Sequence, residues 1–436
     1  MKNRTPATDS VQSSRRDFLR TSATGIVSAT AASGLGPLPA VHAGGSDTLR
    51  IGLIGCGGRG TGAASDAMNA DPNVKLVAMG DMFRDRLEQS RATLKELGGS
   101  KFDVKDDHCF VGFDAYQHVM ASGVDVVVLA TPPHFRPAHI KAAIDAGKHI
   151  FAEKPVAVDA PGVRSVLASC EEARKKNLSV VSGLCWRYHK GMRETIQQVH
   201  DGTVGRVVAL QCNYNAGALW MKPRQPGWTD MEWQMRNWLY FTWLSGDHNV
   251  EQHVHSLDKM AWVMKDEYPV RAVGMGGRQA RTQPEYGHIF DHHAVCYEFA
   301  GGVRCFSFCR QQAGTAHDVS DWVFGTNGTA DLMRHSVTGE TAWRYRPERN
   351  APKENMYQQE HDELFASIRS GHPINNGEYM AKSTLMAIMG RMATYTGQVI
   401  TWEQALHSTE DLTPPKYEFG PLPVPPVAVP GVTRLS

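Results

Sequence analysis

A glycine-rich turn constrains this chain more than any other segment. Gly55-Cys56-Gly57-Gly58-Arg59-Gly60 is a G-x-G-x-x-G run that directly follows the apolar stretch 49–54. So short a run of branched and apolar residues predicts a buried strand, and a helix is expected from near Arg59. Glycines at these positions permit a tight turn and close approach of the backbone to a pyrophosphate, while the helix N-terminus directs amide donors at it. Residues 74–79 read as a second strand leading to Asp81, 26 residues beyond Gly55. That interval suits a carboxylate that binds the adenosine ribose. Such an acid accepts hydrogen bonds from both ribose hydroxyls and repels a 2′-phosphate, which favours NAD. Arg84 lies close by and could pair with a phosphate, so NADP stays open.

The alternation of strand and helix continues. Residues 124–129 are a continuous apolar run into Ala130-Thr131-Pro132-Pro133-His134. Pro137 suits the first turn of a helix and Gly147 its C-terminal end. Residues 148–152 read as a strand ending in Glu153-Lys154-Pro155, residues 160–176 as a helix and 178–183 as a strand. This pattern predicts an α/β unit, a Rossmann doubly wound parallel sheet, over residues 44–183. Ligands bind such sheets at the carboxyl ends of the strands, where Thr131, Pro132, His134, Glu153 and Lys154 fall. With Gly55, Gly57, Gly58, Arg59, Gly60 and Asp81 they make the expected cofactor-binding set.

Composition sets wider bounds. The chain has 436 residues, 46 Lys plus Arg against 45 Asp plus Glu, and 42% hydrophobic residues. These proportions fit a globular protein of two or three domains and argue against a disordered, collagen-like or coiled-coil chain. The near-zero net charge gives no electrostatic reason to expect nucleic acid. Residues 1–43 read as an address. Ser14-Arg15-Arg16-Asp17-Phe18-Leu19-Arg20 is a twin-arginine pattern, a weakly apolar stretch follows at 21–38, and Val41-His42-Ala43 offers a cleavage site. Export to the periplasm is therefore expected, of a protein already folded around its cofactor. No later run is long and apolar enough to span a membrane, so no membrane association is expected once the signal is removed. The eight cysteines are scattered without a CxxC pair and read as buried small side chains.

The run 55–60 after its strand, Ala130-Thr131-Pro132-Pro133-His134, Gly147-Lys148-His149 and Ala152-Glu153-Lys154-Pro155 together resemble the Gfo/Idh/MocA oxidoreductases, the family of glucose–fructose oxidoreductase and inositol dehydrogenase. The resemblance implies a second, α+β domain with a large, mainly antiparallel sheet, and hydride transfer between a sugar or cyclitol carbon and a nicotinamide. It implies that Lys154 sits beside the reacting hydroxyl, and that an acid and a histidine four residues apart serve in the second domain. His255 matches the histidine, with Asp258 at the right interval after it. Glu251 holds the place of the acid, where the family more often has aspartate, and Asp247 is the competing candidate. Arg187, after Gly183, matches a further position and is expected to touch substrate, as is His253.

The chemistry can be argued from the residues as well. Oxidising a secondary alcohol removes a hydride and a proton. A histidine with a nearby carboxylate can take the proton near neutral pH, and Glu251 and His255 at i, i+4 would share one helix face. A lysine beside the oxygen stabilises the developing alkoxide. His248, Glu251, His253, His255 and the later Asp291-His292-His293 raise a metal centre as a rival. Without a second ligand cluster at fixed spacing, no metal is expected.

Residues 184–411 are read as the substrate-binding domain, with strands at 206–214, 269–276, 293–299, 303–310 and 322–325 joined by glycine-rich turns, and helices at 360–370 and 381–398. Five of the ten tryptophans, Trp220, Trp228, Trp233, Trp238 and Trp243, fall within 24 residues. Flat aromatic faces suit sugar rings, and Trp220 and Trp238 are taken as substrate contacts. A packed lid or a subunit interface is an equal alternative. Residues 412–436 form a proline-rich arm, expected to be extended and to reach a neighbouring subunit of a homo-oligomer. The whole reads as an exported oxidoreductase with tightly bound NAD acting on a sugar or cyclitol. A redox-neutral glycoside hydrolase, using transient oxidation and elimination, is the alternative, and a non-catalytic sugar-binding protein is a third reading.

Overall fold

The computed structural model describes residues 47–350 and 352–435. The twin-arginine segment, residues 1–43, lies outside the described residues. The first sheet has six parallel strands, β1 (Leu49–Ile54), β2 (Val74–Asp81), β3 (Cys109–Val111), β4 (Val126–Leu129), β5 (His149–Ala152) and β6 (Val180–Ser182), in the order β3-β2-β1-β4-β5-β6. Helices α1 (Gly58–Ala70), α2 (Arg84–Gly98), α3 (Ala115–Ala121), α4 (Arg136–Asp145) and α5 (Ala160–Lys175) connect them. The strands read as unbroken apolar runs because both faces are covered. Ile51, Leu53, Val126 and Val128 point to the face under α1, while Ile54, Val127 and Leu129 point to the opposite core. The chain leaves β1 towards β2 and later returns on the other side at β4. That reversal opens a crevice at the carboxyl ends of β1 and β4.

The second sheet has nine strands. They are β7 (Val207–Ala216), β8 (Arg271–Gly277), β9 (His292–Glu298), β10 (Arg304–Gln311), β11 (Asp318–Gly325), β12 (Gly328–Asp331), β13 (Ser336–Gly339), β14 (Trp343–Arg344) and β15 (Ile400–Thr401). Their order is β14-β13-β12-β11-β7-β10-β9-β8-β15, with only the β7–β10 pair parallel. The sheet is thus mixed and mainly antiparallel. β12 to β15 were not expected from the sequence, being too short to show alternation.

The remaining helices are α6 (Lys190–His200), α7 (Asp230–Arg236), α8 (Thr242–Ser245), α9 (His248–Glu251), α10 (Val254–Val263), α11 (Met356–Ser370), α12 (Gly377–Thr396) and α13 (Trp402–His407). α12 packs across β8 and β9 and against α10, burying Leu385, Met386, Ile388 and Met389. α11 returns to the first sheet. It packs on α1, and its Leu364 and Phe365 join the core of Ile51 and Leu53. Just beyond it, Asn375 forms a parallel bridge to Val180. The layer covering the first sheet therefore includes residues far outside 44–183.

The tryptophan-rich insertion makes a separate core, in which Trp233, Leu239, Tyr240, Phe241 and Trp243 pack with Phe83 from the turn after β2. Residues 412–435 carry no helix or strand. They pack on their own chain: Met231 N–H donates to the Gly420 carbonyl at 3.2 Å, Leu422 N–H to Asp230 Oδ2 at 3.1 Å and Gln234 Nε2 to the Leu422 carbonyl at 2.7 Å. The Phe419 ring stacks on Phe83 at 6.1 Å. All eight cysteines are free thiols, six of them buried. No helix among the described residues is long and apolar enough to cross a membrane.

Candidate active site

A cavity of about 970 Å³ lies between the carboxyl ends of the first sheet and the insertion. The glycine loop forms its floor, and its glycines do two different jobs. Gly55 has φ +100°, and a Cβ on Gly60 would fall 1.8 Å from the Gly55 carbonyl oxygen; these two make the turn possible. A Cβ on Gly58 would meet nothing within 4 Å, and one on Gly57 only Arg86 Nη1 at 3.9 Å; these two keep the floor open. α1 begins at Gly58 with no side chain capping its first amides, which leaves those donors for an anion. Asp81, at the end of β2, accepts from Cys56 N–H at 2.6 Å and from Phe83 N–H at 2.8 Å. Its carboxylate is thereby tied to the glycine loop, while burial raises its pKa. An uncapped helix start, an open glycine floor and an acid at the cavity wall fit a dinucleotide.

Lys154 follows β5 into the same cavity. Its Nζ donates to the Glu251 carbonyl at 2.6 Å and to Glu251 Oε1 at 3.1 Å. His255 also lines the cavity, and its Nδ1 is buried without a hydrogen-bond partner among the described residues. Burial, then the cations Lys154, Lys259 and Arg59, push the His255 pKa well below its usual value. Glu251 and His255 do not share one helix as expected: Glu251 ends α9 and His255 lies in α10, with Gln252 and His253 between them. The Glu251 carboxylate turns to Lys154 instead. Arg59 is clasped by Glu153 and by Glu360 Oε1, the latter at 2.8 Å, and lies 4.5 Å from the centre of the Tyr357 ring.

Residues 49–182 match the oxidoreductase family of Gfo/Idh/MocA proteins, described as having an NAD-binding Rossmann fold. The match spans the first sheet and the helices that cover it. Inositol 2-dehydrogenase of Azotobacter vinelandii is 26% identical over 290 residues, 66% of this chain and 75% of that protein. Among solved structures, an oxidoreductase domain protein from Kribbella flavida shares the fold with a TM-score of 0.66 at 18% identity, over 81% of this chain and 99% of that one. Levoglucosan dehydrogenase, solved with NADH and levoglucosan, does so with a TM-score of 0.64 at 17% identity, over 81% and 99%.

The cavity brings together Gly55, Gly57, Gly58, Arg59, Gly60, Asp81, Thr131, Pro132, Glu153, Lys154, Trp220, Trp238, Glu251 and His255. Three other candidates lie elsewhere. His134 turns away to the arm, with Nε2 and the Tyr417 hydroxyl 2.8 Å apart. Arg187 is buried beside α10, bonded to Asp258 at 2.9 Å and Asp266 at 2.6 Å with the Tyr379 ring 3.9 Å away. These ion pairs engage it outside the residues that line the cavity. His253 is fully buried, with Nε2 2.7 Å from Ser307 Oγ under the second sheet. It faces the core because the break between α9 and α10 rotates it away from the cavity.

Asp247, the competing acid, is also buried away from the cavity. Its Oδ1 lies 2.8 Å from His248 Nδ1 and 3.2 Å from His293 Nε2. Its Oδ2 accepts from Tyr395 Oη at 2.6 Å and Phe290 N–H at 3.0 Å. Burial alone would raise its pKa, but His293 and His248 hold it well below the usual range. Among the described residues these three are the side chains placed to share a metal ion, and the hydrogen bonds already account for the carboxylate. Sequence reasoning missed Arg136, which is buried and donates to the carbonyls of Glu153 and Thr131, tying two strand ends together. It also missed Arg86 and Lys222 in the cavity wall. Arg84, the basic residue noted near Asp81, instead pairs with Glu88 at the surface at 3.4 Å.

Proposed function

We propose that this chain is an exported NAD-dependent oxidoreductase that moves a hydride between a secondary hydroxyl carbon of a sugar or cyclitol and a retained nicotinamide. The observation that carries the reading is the convergence of Lys154, Glu251 and His255 on the cavity floored by the glycine loop. When bound, the nicotinamide supplies the hydride acceptor. Lys154 has three N–H donors, two of which go to Glu251. The third is available to a substrate oxygen and stabilises negative charge there. His255, held neutral by its depressed pKa, takes the hydroxyl proton. Glu251 holds the Lys154 ammonium in place. Trp220 and Trp238, with ring centres 6.1 Å apart at the cavity wall, offer apolar faces to a sugar ring.

Retention of the cofactor is supported by the insertion, whose Trp220, Lys222, Met235 and Trp238 wall the cleft. Export to the periplasm, read from residues 14–20, gives retention a purpose, since free nicotinamide is scarce there. A second copy of the chain is proposed to cover the open face of the second sheet. There Val273, Cys296 and Phe306 form one cross-strand row and Met275, Ala294 and Phe308 the next. The neighbouring row, Arg271, Glu298 and Arg304, carries both signs of charge and suits a self-complementary two-fold contact.

The test is to denature the purified mature protein, identify any released nicotinamide, and then screen sugars, cyclitols and glycosides. Stoichiometric nicotinamide and a redox change with a sugar or cyclitol are expected. Release of a monosaccharide without net reduction of the cofactor would move the assignment to redox-neutral glycoside hydrolysis. Neither bound nicotinamide nor turnover would overturn the reading. For the assembly, light scattering should report a dimer or larger form that Phe306→Glu dissociates.

A further inference from the structure

Two cations in the cavity wall come from opposite sides of the cleft, and among the described residues neither is held in an ion pair. Arg86 belongs to the first turn of α2 and Lys222 to the insertion, and both line the cavity. The acids near Arg86 are already engaged: Asp85 is held by Arg236 at 3.0 Å, Glu88 by Arg84 at 3.4 Å, and Asp81 by two backbone amides. Among the described residues, neither the Arg86 guanidinium nor the Lys222 ammonium takes part in an ion pair. Arg86 is steadied by the Phe83 ring, 5.7 Å away, and its Nη1 reaches over the glycine floor at Gly57. The Lys222 backbone is fixed at both ends. Its N–H donates to Asn237 Oδ1 at 2.9 Å, and its carbonyl accepts from Trp233 Nε1 at 3.4 Å. Burial, then Arg86 and Arg236, lower the Lys222 pKa, so the ammonium stands in a positive field that a bound anion would relieve.

We propose that Arg86 and Lys222 form a phosphate clamp, one cation from each wall of the cleft closing on a phosphate of the bound dinucleotide. The proposal rests on the dinucleotide reading above. It adds that the insertion, already packed on Phe83 of the first domain, contributes one half of the anion site. A phosphate oxyanion is the chemistry both cations select. The dinucleotide offers it as the pyrophosphate and, in NADP, also as the adenosine 2′-phosphate.

The experiment strips co-purifying nucleotide and titrates NAD, NADP and adenosine, read by quenching of tryptophan fluorescence from the cavity wall. The proteins are the native chain, Arg86→Gln, Lys222→Met, the double variant, and Lys222→Arg as the charge-conserving control. Each neutral variant should bind a phosphate-bearing nucleotide about tenfold more weakly, with adenosine binding unchanged and Lys222→Arg close to native. Equal losses for NAD and NADP place the clamp on the pyrophosphate, and a loss confined to NADP places it on the 2′-phosphate; either supports the clamp. Native affinity of the double variant for both dinucleotides overturns it. If the native chain itself binds neither dinucleotide, the dinucleotide reading fails instead, a result distinct from unaltered variants.

Discussion

Lys154 and Glu251 meet twice, through the Glu251 carbonyl at 2.6 Å and its carboxylate at 3.1 Å. The backbone contact survives any change of the Glu251 side chain, so the position of the ammonium is doubly secured. Lys154→Met removes the donor to the substrate oxygen and should lower turnover by about 10²- to 10³-fold. Affinity for the nucleotide, measured by titration, should stay within about twofold, because the glycine floor and Asp81 are untouched. Unchanged turnover in this variant would remove Lys154 from the chemistry.

The acid limb of the pH–rate profile should lie below the ordinary histidine range. Burial and the cations Lys154, Lys259 and Arg59 hold the His255 pKa well below 6.5, so the neutral, proton-accepting form persists as the pH falls through 6.5. A profile of kcat/KM in the oxidative direction should remain flat through pH 6 and drop only in more acidic buffer. An acid limb centred at or above 6.5 would show that another group accepts the proton.

Gly58 and Gly60 should separate binding from folding. Gly60→Ala drives a methyl onto the Gly55 carbonyl, at 1.8 Å without relaxation, and should cost about 3 kcal/mol of stability. Gly58→Ala meets no protein atom within 4 Å, and as a helical alanine it should stabilise by up to about 1 kcal/mol. Its methyl nevertheless occupies the cavity floor. Thermal melts should show loss of stability for the first variant and none for the second, while nucleotide titration should show lost affinity for both.

Arg187→Met should be a stability variant. Removing the guanidinium leaves Asp258 buried at 1% exposure without its main partner, which should cost about 3–5 kcal/mol. Denaturant titration should report this loss. Near-native KM and kcat of the folded fraction at low temperature are expected, and a selective rise in KM would restore the substrate role read from the sequence.

The first sheet was legible because its strands are buried on both faces and so appear as unbroken apolar runs, and because Gly55 and Gly60 answer a steric demand that no other residue meets. The placement of polar side chains was less legible. Arg187, His253 and His134 carry the same chemistry buried in a structural pair as they would exposed in a site. Their partners, Asp258, Ser307 and Tyr417, are distant in sequence. The break between α9 and α10 rests on two residues, Gln252 and His253, with neither glycine nor proline to announce it. Arg84 and Arg86 differ only in helix phase: two residues turn a side chain by about 200°, which sends one to solvent and the other over the glycine loop.

The return of α11 to the first sheet bears on how such a protein can be rebuilt. Leu364 and Phe365 complete the core under α1, Glu360 holds Arg59 at the glycine loop, and Asn375 extends the sheet beside Val180. A fragment cut after β6 would leave an apolar trough where α11 belongs and an arginine without one of its three acids. Chimaeras that exchange the nucleotide half with a protein of the same fold should therefore carry residues 356–376 along with it. A crossover placed at residue 183 alone would graft a sheet missing part of one wall.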